Sequence, residues 1–167
     1  MRHDGRLSRM LHVLLHMEEQ QRPMTSDEIA GMLGTNPALV RRTLAGLREG
    51  GYVVSERGHG GGWMLGKPLA EMTLRNVYDA VGAPDIFALG LADDQPQCLV
   101  EQAVNTALRQ TLDEARALLL RRFSEIRVSD LRDDFAARAA ALGISPGMSC
   151  AEAPVAVPPE RYEALEQ

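Results

Sequence analysis

Apolar positions recur along the N-terminal half of the chain at helical spacing, in blocks separated by recognisable breaks. Leu7, Met10, Leu11, Leu14 and Leu15 form one apolar face over residues 6–17, which predicts an amphipathic helix. Arg22-Pro23 ends it. Thr25-Ser26-Asp27-Glu28 then has the composition of a capped helix start, with Ile29, Ala30 and Leu33 as the inward side of a short second helix. Gly34-Thr35 turns the chain, Asn36 is a good N-cap and Pro37 a good first helical residue. Val40, Leu44 and Leu47 follow at i, i+4 and i+7, up to Gly50-Gly51. Tyr52–Ser55 and Trp63–Leu65 change to a β-prone pattern and predict two short strands joined by a glycine-rich loop. Leu74, Val77 and Val81 return to helical spacing. Helix, helix, turn, helix, hairpin is the order of a winged helix.

The second half follows another pattern. Prolines, glycines and aspartates between residues 82 and 97 predict a connecting loop. From 99 to 123 the positions Val100, Val104, Leu108, Leu112, Ala115, Leu119 and Phe123 advance by three or four, a single helix of about seven turns at 3.6 residues per turn. So long a stripe after a complete small domain has little of its own chain to cover it. Burial against a second copy is the preferred expectation, and an intramolecular helix hairpin the alternative. Residues 129–142 predict a last short helix, and the Pro-, Ala- and Glu-rich tail a disordered end. The fold class is therefore mainly α: a winged helix-turn-helix domain over 1–82, a connecting loop over 83–98, a long dimerisation helix with a closing helix over 99–142, and a tail over 143–167.

Composition agrees with one globular unit plus an arm: 167 residues, 45% hydrophobic. No run of eighteen apolar residues and no cleavable leader pattern is present, so a cytoplasmic protein without a membrane partner is expected. The net charge of −5 hides an asymmetry: residues 1–67 carry nine Lys/Arg and seven Asp/Glu, the remainder nine and sixteen. Steering depends on the local patch, so a mildly basic N-terminal unit remains able to meet a polyanion. Two cysteines, Cys98 and Cys150, supply neither a disulfide framework nor a CxxC metal spacing.

The loop Arg57-Gly58-His59-Gly60-Gly61-Gly62 admits three readings. As a phosphate cradle, Gly61-x-x-x-x-Gly66-Lys67 fails at Pro68, which replaces the hydroxyl residue that would hold magnesium. As an oxyanion hole, His59-Gly60-Gly61-Gly62 and the G-x-S-x-G run Gly143–Gly147 lack a later histidine, since all four histidines precede residue 60. No nucleophile, base and orienting group can be assembled, so no enzyme is expected. As a wing, the loop places Arg57 and His59 at a tip where side-chain-free glycines allow close approach to a phosphate backbone or a narrow minor groove. A mobile hairpin without a partner is the bland alternative. Arg41 and Arg42 point away from Val40, Leu44 and Leu47 near the start of the third helix, where a major-groove reader presents its side chains, and Arg48 lies further along over phosphate.

The run from Thr25 to Pro68 followed by "MTLRNVYDAVG" resembles the Rrf2 family of bacterial winged-helix transcription regulators, over about residues 1–125. The resemblance implies a homodimer joined through the long helix at Val100, Val104, Leu108, Leu112, Leu119 and Phe123. Each protomer would place a helix in the major groove and a wing in the minor groove of a pseudo-palindromic operator. It implies contacts to double-stranded DNA from Asn36, Ala38, Leu39, Arg41 and Arg42, and from Arg57 with Gly60 and Gly61 on the wing; Thr35, Arg48 and His59 are candidate contacts beside them. A repressor answering a redox, metal or small-molecule signal is the expected function; a winged-helix module for protein interaction is the alternative. Cluster-binding members place three cysteines around the loop and the start of the long helix, where this chain has only Cys98. A conventional iron–sulfur cluster is therefore not expected and no cofactor is assigned. Cys98 stands as a thiol-switch candidate, with a small buried residue as the simpler reading. His12 and His16, at i and i+4, form a candidate metal pair that Cys98 could complete.

Overall fold

The computed structural model describes residues 4–58, 60–91, 97–141 and 143. The elements run α1 (Arg6–Gln20), α2 (Ser26–Leu33), α3 (Pro37–Glu49), β1 (Val53–Ser55), β2 (Trp63–Leu65), a 3-10 turn at Leu69–Glu71, α4 (Leu74–Ala80), α5 (Leu99–Glu125) and α6 (Val128–Ala141). The fold is mainly α with a two-stranded antiparallel hairpin, a winged helix followed by a long helix.

Local chemistry accounts for most boundaries. The side chain of Thr25 accepts from the backbone N–H of Glu28, while the Glu28 carboxylate accepts from Thr25 N–H, a reciprocal capping box that starts α2. Gly34, at φ 60°, ends it. Asn36 Oδ1 accepts from Leu39 N–H at 2.8 Å and Pro37 opens α3. In the hairpin Val53 faces Leu65, Val54 faces Met64 and Ser55 faces Trp63, one residue shorter at its start than the pattern predicts. Met24 extends the pairing: it exchanges two backbone hydrogen bonds with Trp63, at 3.0 and 2.8 Å.

The fully buried core draws on Val13 and Leu14 of α1, Ile29 of α2, Val40, Leu44 and Leu47 of α3, Val53 of β1 and Val77 of α4. Leu69 and Met72, in and just after the 3-10 turn, and Val128, the first residue of α6, complete it. In α1 the buried face is Met10, Val13, Leu14 and Met17; Leu7, Leu11 and Leu15 pack around its edge. A Cβ on Gly46 would stand 1.9 Å from the Ala80 carbonyl oxygen, so α3 and α4 meet backbone to backbone.

The long helix differs. None of its 27 residues is buried. Leu99, Val100, Val104 and Leu108 are exposed, the first two by more than 70%. Its C-terminal end is tied down: Phe123 meets the Tyr78 ring edge-on at 5.8 Å, and Leu74 N–H donates to Ile126 C=O at 3.0 Å. Val128 N–H then donates to Met72 C=O, and its side chain enters the core at the start of α6. Phe123, placed on the intersubunit stripe by its spacing, thus has a partner in its own chain. Cys150 and the tail expected to be disordered, apart from Gly143, lie outside the described residues.

Candidate nucleic-acid interface

The core-facing triplet of α3 dictates what the opposite side presents. With Val40, Leu44 and Leu47 inward, Ala38, Arg41, Arg42 and Arg48 are exposed, while Leu39 and Thr35 are half-buried. Asn36 is exposed, and its cap uses the side-chain oxygen rather than the amide nitrogen. Thr35 N–H donates to Ala30 C=O at 2.9 Å, which holds the turn into α3.

One tight turn joins α3 to the wing. Gly51 N–H donates to Arg48 C=O and Tyr52 N–H to Leu47 C=O, each at 2.9 Å. At the far strand, Trp63 Nε1–H donates to Ser26 Oγ at 3.0 Å, anchoring the wing to the start of α2. The hairpin is therefore braced from both sides, which positions Arg57 at its exposed end. The glycines of this loop have reasons inside the chain. Gly58 and Gly60 adopt φ of 106° and 84°, which disfavour any side chain. A Cβ on Gly61 would lie 2.4 Å from the Glu56 carbonyl oxygen, and one on Gly62 2.7 Å from that of Met24. The hairpin's own closure thus accounts for all four; close approach to a partner is a second use of the same bareness. His59 lies outside the described residues.

Between residues 35 and 67 stand five cations, Arg41, Arg42, Arg48, Arg57 and Lys67, against two carboxylates, Glu49 and Glu56. Among the described residues none of the four arginines has a carboxylate partner, whereas Arg6, Arg22, Arg75, Arg122, Arg132 and Arg138 all do. Lys67, named only in the rejected phosphate motif and not among the expected DNA contacts, lies 5.1 Å from the centre of the Tyr52 ring at the base of the wing. A surface of this kind keeps its charge available for an anion.

The sensor candidates separate. Cys98 is a half-buried free thiol at the N-cap of α5, without a side-chain capping bond. His12 and His16 lie in α1, their Nε2 atoms 2.9 Å apart. Burial and, secondarily, the neighbouring His16 hold the His12 pKa below its ordinary value. Among the described residues no three His, Cys, Asp or Glu side chains gather into a metal site, so Cys98 does not complete the histidine pair. The two belong to different elements, and spacing within one helix says nothing of a third ligand elsewhere. An iron–sulfur cluster takes several thiolates, and among the described residues Cys98 is the single cysteine. No helix among them is long and apolar enough to cross a membrane.

Comparison with known proteins agrees with this architecture. Residues 4–134 match the model of the Rrf2 family, described as iron-dependent transcriptional regulators. YwnA of Bacillus subtilis, whose name assigns it provisionally to the HTH-type transcriptional regulators, is 29% identical over 115 residues, 68% of this chain and 84% of its own. The HTH-type transcriptional regulator IscR of Serratia proteamaculans is 36% identical over 72 residues, 43% of either chain. A Lactobacillus plantarum structure, solved under a provisional transcriptional-regulator name, superposes with a TM-score of 0.69 at 23% identity, covering 83% of this chain and 95% of that one.

Proposed function

Because the chain belongs to the Rrf2 family of transcriptional regulators, and is not an enzyme, we propose that it acts as a homodimer binding a pseudo-palindromic DNA operator sequence-specifically. The observation that carries this reading is the set of arginines without carboxylate partners on α3 and the braced wing. Arg41 and Arg42 reach base edges in the major groove, Arg48 lies over phosphate, and Arg57 with Gly60, Gly61 and His59 meets the backbone beside the minor groove. Thr35, Asn36, Ala38 and Leu39 line the entry of α3 into the groove. The exposed side chains of Val100, Val104 and Leu108 support pairing of α5 with a second copy, which would set two recognition helices about one DNA turn apart, roughly 34–36 Å. Leu112, Leu119 and Phe123 are half-buried and sit at the margin of that contact. Binding represses transcription of adjacent genes and answers a cellular signal.

An electrophoretic mobility shift on the promoter upstream of the chain's own reading frame, run across a salt series, tests this. The expected result is a shift at submicromolar dimer that weakens steeply as salt rises, because phosphate neutralisation releases counterions. No shift at micromolar protein, with or without reductant, favours a protein-interaction module instead.

A further inference from the structure

His12 and His16 take no part in the proposed DNA contacts, yet their geometry is specific. They stand one turn apart on α1, with ring centroids 4.8 Å apart and ring planes 53° apart. The Nε2 atoms converge to 2.9 Å. The other nitrogen of His16, Nδ1, lies 3.5 Å from Glu19 Oε2. A carboxylate beside one imidazole nitrogen, with the other nitrogen turned toward a second imidazole, is an arrangement suited to a histidine ligand and its outer-shell partner. The pair lines a cavity of about 650 Å³ between α1 and α6, whose other wall includes Phe135 and Ala139 and whose rim carries the Glu18–Arg132 ion pair at 3.4 Å.

The 2.9 Å between the Nε2 atoms is that of a hydrogen bond between the two rings, and it is also short enough for both nitrogens to reach one ion through metal–nitrogen bonds of roughly 2.0–2.1 Å. We propose that His12 and His16 form a two-nitrogen site for a divalent late transition-metal ion, with Glu19 as the carboxylate that positions His16. Water supplies further coordination positions. The site stands whether or not the chain binds DNA.

Nickel alone is the probe, because copper would also oxidise the thiols. In a protein expressed untagged from Met1, the amino terminus would stand two residues before His3 and chelate nickel by itself, so the protein used carries His3→Gln throughout. Competition against a coloured chelator is expected to give one nickel ion per protomer. His12→Gln and His16→Gln each weaken binding at least tenfold, and Glu19→Gln by about ten- to a hundredfold. Paramagnetic broadening of amide signals in the chain with both histidines intact supplies a readout that needs no folded variant; it centres on residues 12–16. No binding, unchanged affinity in the doubly substituted chain, or broadening centred on Cys98 overturns the proposal.

Discussion

The winged unit and the long helix are built from similar fractions of apolar residues, yet one consumes them and the other displays them. In α3, Val40, Leu44 and Leu47 are buried to within 1% of complete. In α5, Val100 and Val104 repeat the i, i+4 spacing of Val40 and Leu44 and remain 73% and 51% exposed. Identical periodicity therefore means different things: in α3 the facing surface is supplied by α1, α2 and α4, while in α5 the described residues supply a facing surface mainly toward the Phe123 end. An apolar stripe without an internal partner is a surface for another molecule.

Breaking the winged core has the largest effect. Leu44→Ala removes a fully buried side chain and is expected to cost about 2–5 kcal/mol in urea unfolding, because the cavity collapses only partly. Charges on α5 act on association instead. Val104→Asp with Leu108→Asp is expected to weaken self-association at least a hundredfold, about 2.8 kcal/mol, in sedimentation equilibrium, while the unfolding of the winged unit is little changed. Next come the cations. Arg42→Ala is expected to lose about 1–3 kcal/mol on the specific operator and little on random duplex, whereas Arg57→Ala weakens both and lowers the salt slope by about one.

The smallest effect sharpens the comparison inside the winged unit. Thr25→Ala removes half of the capping box and is expected to cost about 1 kcal/mol. Glu28, held below the ordinary glutamate value of 4.5 by the Thr25 backbone N–H and then by Arg22, contributes stability above that value. Its contribution fades as pH falls below 4.5 and through the lowered folded-state value. Urea unfolding across that window should show a shallower acid loss in Glu28→Gln.

Much of the architecture was legible because its signals are local. Caps at Thr25 and Asn36, proline at Pro37 and the 3.6-residue spacing of Val40, Leu44 and Leu47 each involve a few neighbouring residues, and the structure has helices where they predict them. The arginines of α3 were legible for the same reason, since the buried side of a helix defines its exposed one. The brace from Trp63 to Ser26 was not, because it joins residues 37 positions apart. Nor was the core role of Met24, Leu69, Met72 and Val128, which sit at bridges, turns and helix ends where no period marks them.

By itself the sequence determined where helices begin and end, which side of each is apolar, and that the glycine-rich loop could close a tight hairpin. Only the tertiary structure decided which apolar sides are covered, that Phe123 meets Tyr78, and that the glycines serve the hairpin's own backbone contacts. The reason is physical: hydrogen-bonded turns are won or lost within a few residues, whereas burial is a property of segments brought together from across the chain.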